Sequence, residues 1–408
     1  MSLPPIDPHC GCEDGIHSSR RQFLKLSLLF SAATALPLLQ AGRQAHAADP
    51  DAPVRIGYLP ITDATPLLVA HHNGLFEQQG LKVEKPRRFR SWAQIVEAFL
   101  SGQVNVVHLL MPMTVWARYG SQAPIKVVAW NHMEGSGLTV RQDINSLDEL
   151  GGTSVAIPFW YSVHNIVLQQ VLREAGLEPV SNGNPGPKQV KLVVMSPADM
   201  LPALGSKQIS GYIVAEPFNA IAEELQVGKI QRFTGDVWRN HACCVVTMHE
   251  RDLEQRPEWS QKVVNGIVQA QDWIRNNRAA TVDILARGNP ADYTPHDKAV
   301  LGRVLLPSAE RDAHYHDSGA ILHPQWQQQR IDFQPYPYPS YTQKLVELLK
   351  LTHVEGRNDF LQGLDPAKVA TDLVDERYVR HAVEAIGGIT RFGVPEGYSR
   401  SETFSVGA

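Results

Sequence analysis

Cys243 and Cys244 are adjacent in a chain with only four cysteines. Neighbouring thiols either close a strained ring disulfide or remain two buried thiols. Bridging neighbours demands unusual local geometry, so two buried thiols are expected. His241 is close by, but a metal shell needs further ligands and no spacing here supplies them. His314-Tyr315-His316 is a looser pair of imidazoles and reads as a solvated loop. His164, on the predicted first turn of a helix, is able to donate to an anion, although an isolated His more commonly caps or faces solvent. Glu216, just before Pro217, is either a helix N-terminal partner or a ligand contact, and its charge repels an anion unless a cation is present. Trp92 and the run Phe159-Trp160-Tyr161 offer aromatic walls, with core packing the competing role for Trp92. No Gly-x-Ser-x-Gly elbow, His-Glu-x-x-His pair or Gly-x-x-x-x-Gly-Lys phosphate loop is present, which weighs against an enzyme.

Such residues act together only if secondary structure gathers them. Val54–Leu59, Leu81–Glu84 and Val104–Leu109 read as strands, separated by helices from Thr65 to about His72 and from Trp92, capped by Ser91, to about Leu100. Further strands follow at Lys126–Trp130, Leu138–Val140, Ser154–Ile157, Val190–Met195 and Gly211–Val214, with helices from Ser162, Ser196 and Pro217. Alternating strands and helices with short connections argue for parallel α/β layers. Beyond Pro257 the pattern is mostly helical, and Tyr336-Pro337-Tyr338-Pro339 reads as a stiff linker.

In open α/β sheets, ligands bind beyond the carboxyl ends of the strands. That rule selects Pro60–Asp63, Arg90–Trp92, Met111–Met113, Pro158–His164 and Ala215–Asn219, and with them Asp63, Trp92, Met111, Trp160, Tyr161, His164, Ala215 and Glu216. Three of these segments open helices, at Trp92, Ser162 and Pro217. Converging helix N-termini hold a small anion through unpaired N–H groups without any basic side chain.

Composition sets the outer limits. Hydrophobic residues make up 43% and charged residues 20%, enough to bury a core and too apolar for general disorder. A net charge of −4 gives no basic field for nucleic acid. At the N-terminus, Ser19-Arg20-Arg21-Gln22-Phe23-Leu24-Lys25 precedes an apolar stretch and the small-x-small site Ala45-His46-Ala47. This resembles a twin-arginine export signal over 1–47, whose removal also takes away His9-Cys10-Gly11-Cys12. No later stretch reaches the roughly 18 apolar residues that a membrane span needs, so a soluble exported protein is expected. Its two α/β units, 54–140 completed by 241–400 and 141–240, suggest a hinged clamp closing on a ligand.

The order of several motifs is similar to one family. Ile56-Gly57-Tyr58-Leu59-Pro60-Ile61-Thr62-Asp63-Ala64-Thr65-Pro66 with Asn73-Gly74-Leu75-Phe76 resembles the opening of nitrate/sulfonate/bicarbonate-type periplasmic substrate-binding proteins, closest to the nitrate and bicarbonate branch. Ser91-Trp92-Ala93-Gln94, Met111-Pro112-Met113, Gly211–Asn219 and Thr234–Trp238 resemble its later landmarks. The resemblance implies a type II-like periplasmic binding-protein fold, an α/β clamp with a helical C-terminal part. It also implies an ABC importer, with a permease and an ATPase at the inner membrane as partners. A monomer without nucleic-acid partners is expected. No cofactor is expected, although the resemblance leaves room for a metal ion. It implies that Trp92 lines an anion site, that His164 opens the second-lobe helix, and that Ala215 and Glu216 contribute contacts. Where nitrate binders carry a lysine and bicarbonate binders a glutamate with a metal ion, this chain reads Cys244. A ligand sensor of the same fold, and a pyrimidine-precursor enzyme or binder, are the alternative readings.

Overall fold

The computed structural model describes residues 51–326 and 329–407. The expected export segment, with its arginine pair and His9–Cys12, lies outside the described residues. In chain order the strands are β1 (Ile56–Tyr58), β2 (Arg87–Arg88), β3 (Val106–Leu110), β4 (Ile125–Trp130), β5 (Met133–Glu134), β6 (Ser136–Arg141), β7 (Thr153–Ile157), β8 (Glu178–Val180), β9 (Gln189–Val194), β10 (Gly211–Ala215), β11 (Gly228–Phe233), β12 (Cys244–His249) and β13 (Ile331–Asp332).

Two sheets organise the fold. The first has the order β2-β1-β3-β12-β4 and the second β11-β6-β10-β7-β9-β8, and both belong to one compact unit. β1 pairs in parallel with β2 and β3, whereas β12 runs antiparallel between β3 and β4. In the second sheet β7 is parallel to β10 and β9, and β6 is antiparallel to β10 and β11. Continuous burial of Val106-Val107-His108-Leu109-Leu110 explains why β3 reads as an unbroken apolar run: both faces of the sheet are covered.

The chain passes between the sheets twice. Residues 131–135 lead from β4 to β6, and residues 234–243 return from β11 to β12. The two passages are tied together, since Glu134 N donates to the His241 carbonyl at 2.8 Å and Asn240 N donates to Glu134 Oε1 at 3.1 Å. Each contains a left-handed residue, Glu134 at φ 59° and Asn240 at φ 55°. Gly135 follows at φ 76°, and a Cβ there would stand 2.8 Å from Ile331. Glycine adopts this left-handed conformation without strain, and a larger residue would displace the Ile331 side chain.

Three expectations are corrected. The strand expected at Leu81–Glu84 reduces to a single bridge between Val83 and Val54, and the edge strand is instead Arg87–Arg88. The stretch around His314-Tyr315-His316 is not a solvated loop but lies in the helix Ala309–Asp317. Tyr315 there is buried against Phe233, Ile230, Ala320 and Ile321, an apolar contact that a scan for exposed His pairs overlooks. The Tyr-Pro-Tyr-Pro segment, expected as a stiff linker, is packed into the core: Tyr336 and Tyr338 are buried, and Pro339 opens the helix Pro339–Lys350. Its aromatic rings supply the burial that holds it. Among the described residues no helix is long and apolar enough to cross a membrane.

Candidate functional site

The two passages bring together residues far apart in sequence. Asp63 lies in the 3-10 turn Thr62–Ala64 after β1, His132 follows β4, and Cys243 and Cys244 enter β12. All four are buried to the point of having no exposed surface. His132 Nε2 lies 2.9 Å from Asp63 Oδ2 and 3.2 Å from the Cys244 amide. The Cys244 thiol donates to Asp63 Oδ2 at 3.1 Å. Asn131 Nδ2 donates to the Asp63 carbonyl and fixes the turn that carries the carboxylate. Both cysteines are free thiols, as expected of a pair whose neighbours leave no slack for a ring disulfide.

The second sheet contributes from the other side. Ser162 caps the helix Val163–Glu174 by accepting from Asn165 N at 3.0 Å, which sets His164 on the first turn. His164 Nε2 lies 2.9 Å from Ser136 Oγ on β6 and 3.8 Å from Cys243 Sγ. His241 Nε2 lies 2.8 Å from Thr234 Oγ1, which in turn donates to the Ser136 carbonyl at 3.1 Å. Polar groups from both sheets thus meet around Cys243.

Electrostatics sort these groups by burial and by partner. Burial pushes the Asp63 carboxyl above its ordinary range, opposed by His132. Burial also works against a charged His132, but the adjacent Asp63 carboxyl and Cys243 together outweigh it and raise His132 to about 10. Burial alone would raise the Cys243 thiol; hydrogen bonding with Cys244, the nearby His164 and a hydrogen bond with His132 bring it well below the usual range. Cys244 moves the other way, raised by burial and by Cys243. Burial lowers His108 to about 3 and His241 to about 4, so both imidazoles are neutral at physiological pH. The cluster gathers one carboxylate oxygen, one imidazole nitrogen and two sulfurs, with no Lys or Arg among its described partners.

Of the residues selected from sequence, Asp63 and Cys244 touch directly, and His164 joins them through Cys243. Met111 is bound by its backbone, its amide donating to the Cys243 carbonyl at 3.0 Å. Ala215 stands opposite Ser136 in the β10–β6 register. Trp92 is one layer out: its ring is 5.5 Å from the His108 ring, and His108 Nε2 accepts from Leu59 N at 3.0 Å. Trp160 packs edge-on to His353 and Tyr161 against Trp116 and Phe360, so this aromatic run packs on the segment Trp116–Gly120 and on residues 353–360 rather than on the cysteine pair.

Glu216 does not bring its carboxylate to the cluster. Its Oε1 pairs with Arg330 Nη2 at 2.6 Å, and its Oε2 accepts from Ala220 N at 3.2 Å. The helix Phe218–Glu224 therefore has its N-terminus occupied by a carboxylate of its own chain, which removes one of the three ends expected to face an anion. Only the Glu216 carbonyl reaches across, accepting from Thr62 N at 2.9 Å. Sequence reasoning missed His132, His108, Ser136 and Arg330. His132 follows the strand Ile125–Trp130 at its carboxyl end, so the same topological rule that selected Asp63 points to it.

Residues 47–287 match the model of the NMT1-like family. The chain is 23% identical over 300 residues to the nitrate/nitrite binding protein NrtA of Nostoc sp. (strain PCC 7120), covering 63% of this chain and 67% of that protein. It is 25% identical over 247 residues to the nitrate import ATP-binding protein NrtC of Synechocystis sp. (strain PCC 6803), covering 57% of this chain but only 36% of that longer protein. The crystal structure of the periplasmic nitrate-binding protein NrtA from Synechocystis PCC 6803 superposes with a TM-score of 0.67 at 19% identity, over 87% of this chain and 94% of that one. The fold is thereby the type II-like fold of periplasmic binding proteins.

Proposed function

The chain belongs to the NMT1-like family, and on that footing we propose that it is the solute-binding component of an ABC importer. It captures a small ligand between its two sheets and passes it to a membrane permease driven by an ATPase. The observation that carries this reading is the polar cluster in which Asp63, His132, Cys243 and Cys244 meet His164 and Ser136 of the other sheet. A ligand held there touches both halves of the clamp and so stabilises their closure. The relatives are named as binding and transport proteins, so binding without turnover is the reading.

The ligand is a small anion of the nitrate, bicarbonate and sulfonate class. Support comes from the relatives' named ligands, from His164 beside Cys243, and from the helix beginning at Val163, whose first N–H groups favour negative charge. The protein works in the periplasm as a monomer, and the arginine pair at Arg20-Arg21 directs it through the twin-arginine route.

The test is a thermal-shift screen of the mature chain against nitrate, nitrite, bicarbonate, cyanate, sulfonates and small carboxylates. A ligand at 100 times its Kd adds about 2.7 kcal/mol to stability. A screen in which no solute raises the midpoint would overturn the capture reading. Export is tested separately, by replacing Arg20 and Arg21 with lysine and following loss of periplasmic protein.

A further inference from the structure

The four donors that wall the proposed solute site also have a chemistry of their own. Asp63, His132, Cys243 and Cys244 offer one carboxylate oxygen, one imidazole nitrogen and two sulfurs, and these atoms all lie within 4.8 Å of one another. Zinc binds sulfur at about 2.3 Å and nitrogen or oxygen at about 2.0–2.2 Å. Tetrahedral donors around one such ion stand roughly 3.3–3.8 Å apart, so the four side chains reach that geometry with shifts of about 1 Å.

The present contacts leave the donors poorly matched to one another. His132 Nε2 faces both a carboxylate oxygen and an amide N–H, which a single ring nitrogen cannot serve at once. Asp63 Oδ1 and His132 Nδ1 are buried with no hydrogen-bond partner among the described residues. The hydrogen bonds and ion pairs described for the four side chains run to each other, to His164 and to backbone, and none runs to Lys or Arg. One oxygen, one nitrogen and two sulfurs thus converge with no Lys or Arg among their described partners.

We propose that Asp63, His132, Cys243 and Cys244 form a four-coordinate site for a zinc-class ion. Two sulfurs and an imidazole select Zn2+ over the hard cations Ca2+ and Mg2+, which take six or more oxygens or keep their waters. Four protein ligands close the shell, the arrangement of a structural rather than an open catalytic site. His132 comes from the outward passage and Cys243 from the return passage, so the ion would tie both to the end of β1. His164, 3.8 Å from Cys243 Sγ, is placed to steady that sulfur from outside the shell. The site stands whichever solute the clamp carries.

The experiment uses the mature chain stripped with a chelator and titrated with Zn2+ alone, read by calorimetry and by metal content after gel filtration. One tightly held ion per chain is expected. Cys244→Ser and Asp63→Asn are each expected to weaken it by at least about 100-fold, the upper end of what loss of an outer-shell partner costs. Ca2+ should not compete. Co2+ loading of the unaltered protein gives a second readout independent of variant folding: intense visible absorption with a sulfur-to-cobalt charge-transfer band. Absence of that band, or Zn2+ binding unchanged in Cys243→Ser/Cys244→Ser, overturns the proposal. The solute screen is run on stripped and loaded protein in parallel. A solute shift without Zn2+ binding rejects the ion site and leaves capture standing; Zn2+ binding without any solute shift does the reverse.

Discussion

His132 decides the electrostatics of the cluster, because it lies against Asp63 and carries the proton that the buried carboxyl and thiolate attract. His164 is its counterpart from the second sheet, and the two roles separate by experiment. His164→Ala removes the one imidazole that reaches Cys243 from across the clamp and is expected to weaken solute binding about tenfold or more, roughly the 1.5–3 kcal/mol of a hydrogen bond to a charged group. Trp92→Ala acts only through His108 and should weaken binding less while lowering stability by about 3–5 kcal/mol, the cost of emptying a buried aromatic site. Parallel titrations and urea unfolding of the two variants check the ordering; equal loss of affinity would place Trp92 in contact with the ligand. Asp63 and Cys244 were legible in the sequence because one follows a strand and the other is half of a rare pair. Their contact was not, since the two residues are 181 positions apart and no spacing rule links them.

Secondary structure was legible wherever local signals were strong. Ser91 and Ser162 both cap the helices expected of them. The return strands β11 and β12 were missed because no turn motif or alternation marks them, and their identity comes from pairing with β6, β3 and β4. The contacts of the later helices were equally hidden. Arg330 is buried between Glu216 and Glu223 and joins the helix Phe218–Glu224 to Tyr315. Arg330→Ala takes the cation from the buried Glu216 carboxylate, whereas Glu223 keeps Tyr315 and Arg303, and is expected to cost about 3–5 kcal/mol, measured by urea unfolding, with Glu216→Gln added in the same chain restoring part of the loss. A more exposed network makes a pH prediction. The Arg118 guanidinium beside Asp372 holds that carboxyl well below the ordinary range, with Tyr119 and Lys126 assisting. A depressed carboxyl stabilises the fold above its unfolded value of about 3.9 and loses that contribution as pH falls through the folded value. Asp372→Asn should therefore cost about 1 kcal/mol at pH 7, as befits a half-exposed pair, and the gap from the unaltered chain should close as the solution is acidified. Melting curves from pH 7 to pH 3 follow it; a gap that widens toward acid would reject the assignment.

At the scale of the clamp, the two sheets are held together by more than the passages. The Gln169 side chain pairs with the His353 backbone in both directions, donating to its carbonyl at 2.8 Å and accepting from its amide at 2.8 Å. Asn165 donates to the same carbonyl at 3.1 Å. These bonds fasten the helix Val163–Glu174 of the second sheet to the chain leaving the helix Pro339–Lys350, whose Tyr341 hydroxyl donates to the Ala242 carbonyl beside the cysteines. Gln169→Ala removes both bonds to His353, together with the Gln169 contacts to Asn165 and Arg173 on its own helix. The expected result is a clamp that opens more readily, seen as a larger radius of gyration by small-angle scattering in the absence of solute, with circular dichroism unchanged. An unaltered radius would show that the passages alone hold the halves together.

Complete burial of Asp63, His132, Cys243 and Cys244 has a kinetic consequence. A molecule enclosed by groups without exposed surface has no groove along which to diffuse out. Its dwell time is set by how often the walls part, so solutes with different affinities share one slow step on departure and differ in how often they are recaptured before the walls close again. Release on a useful timescale then requires that something outside the site does work on the walls.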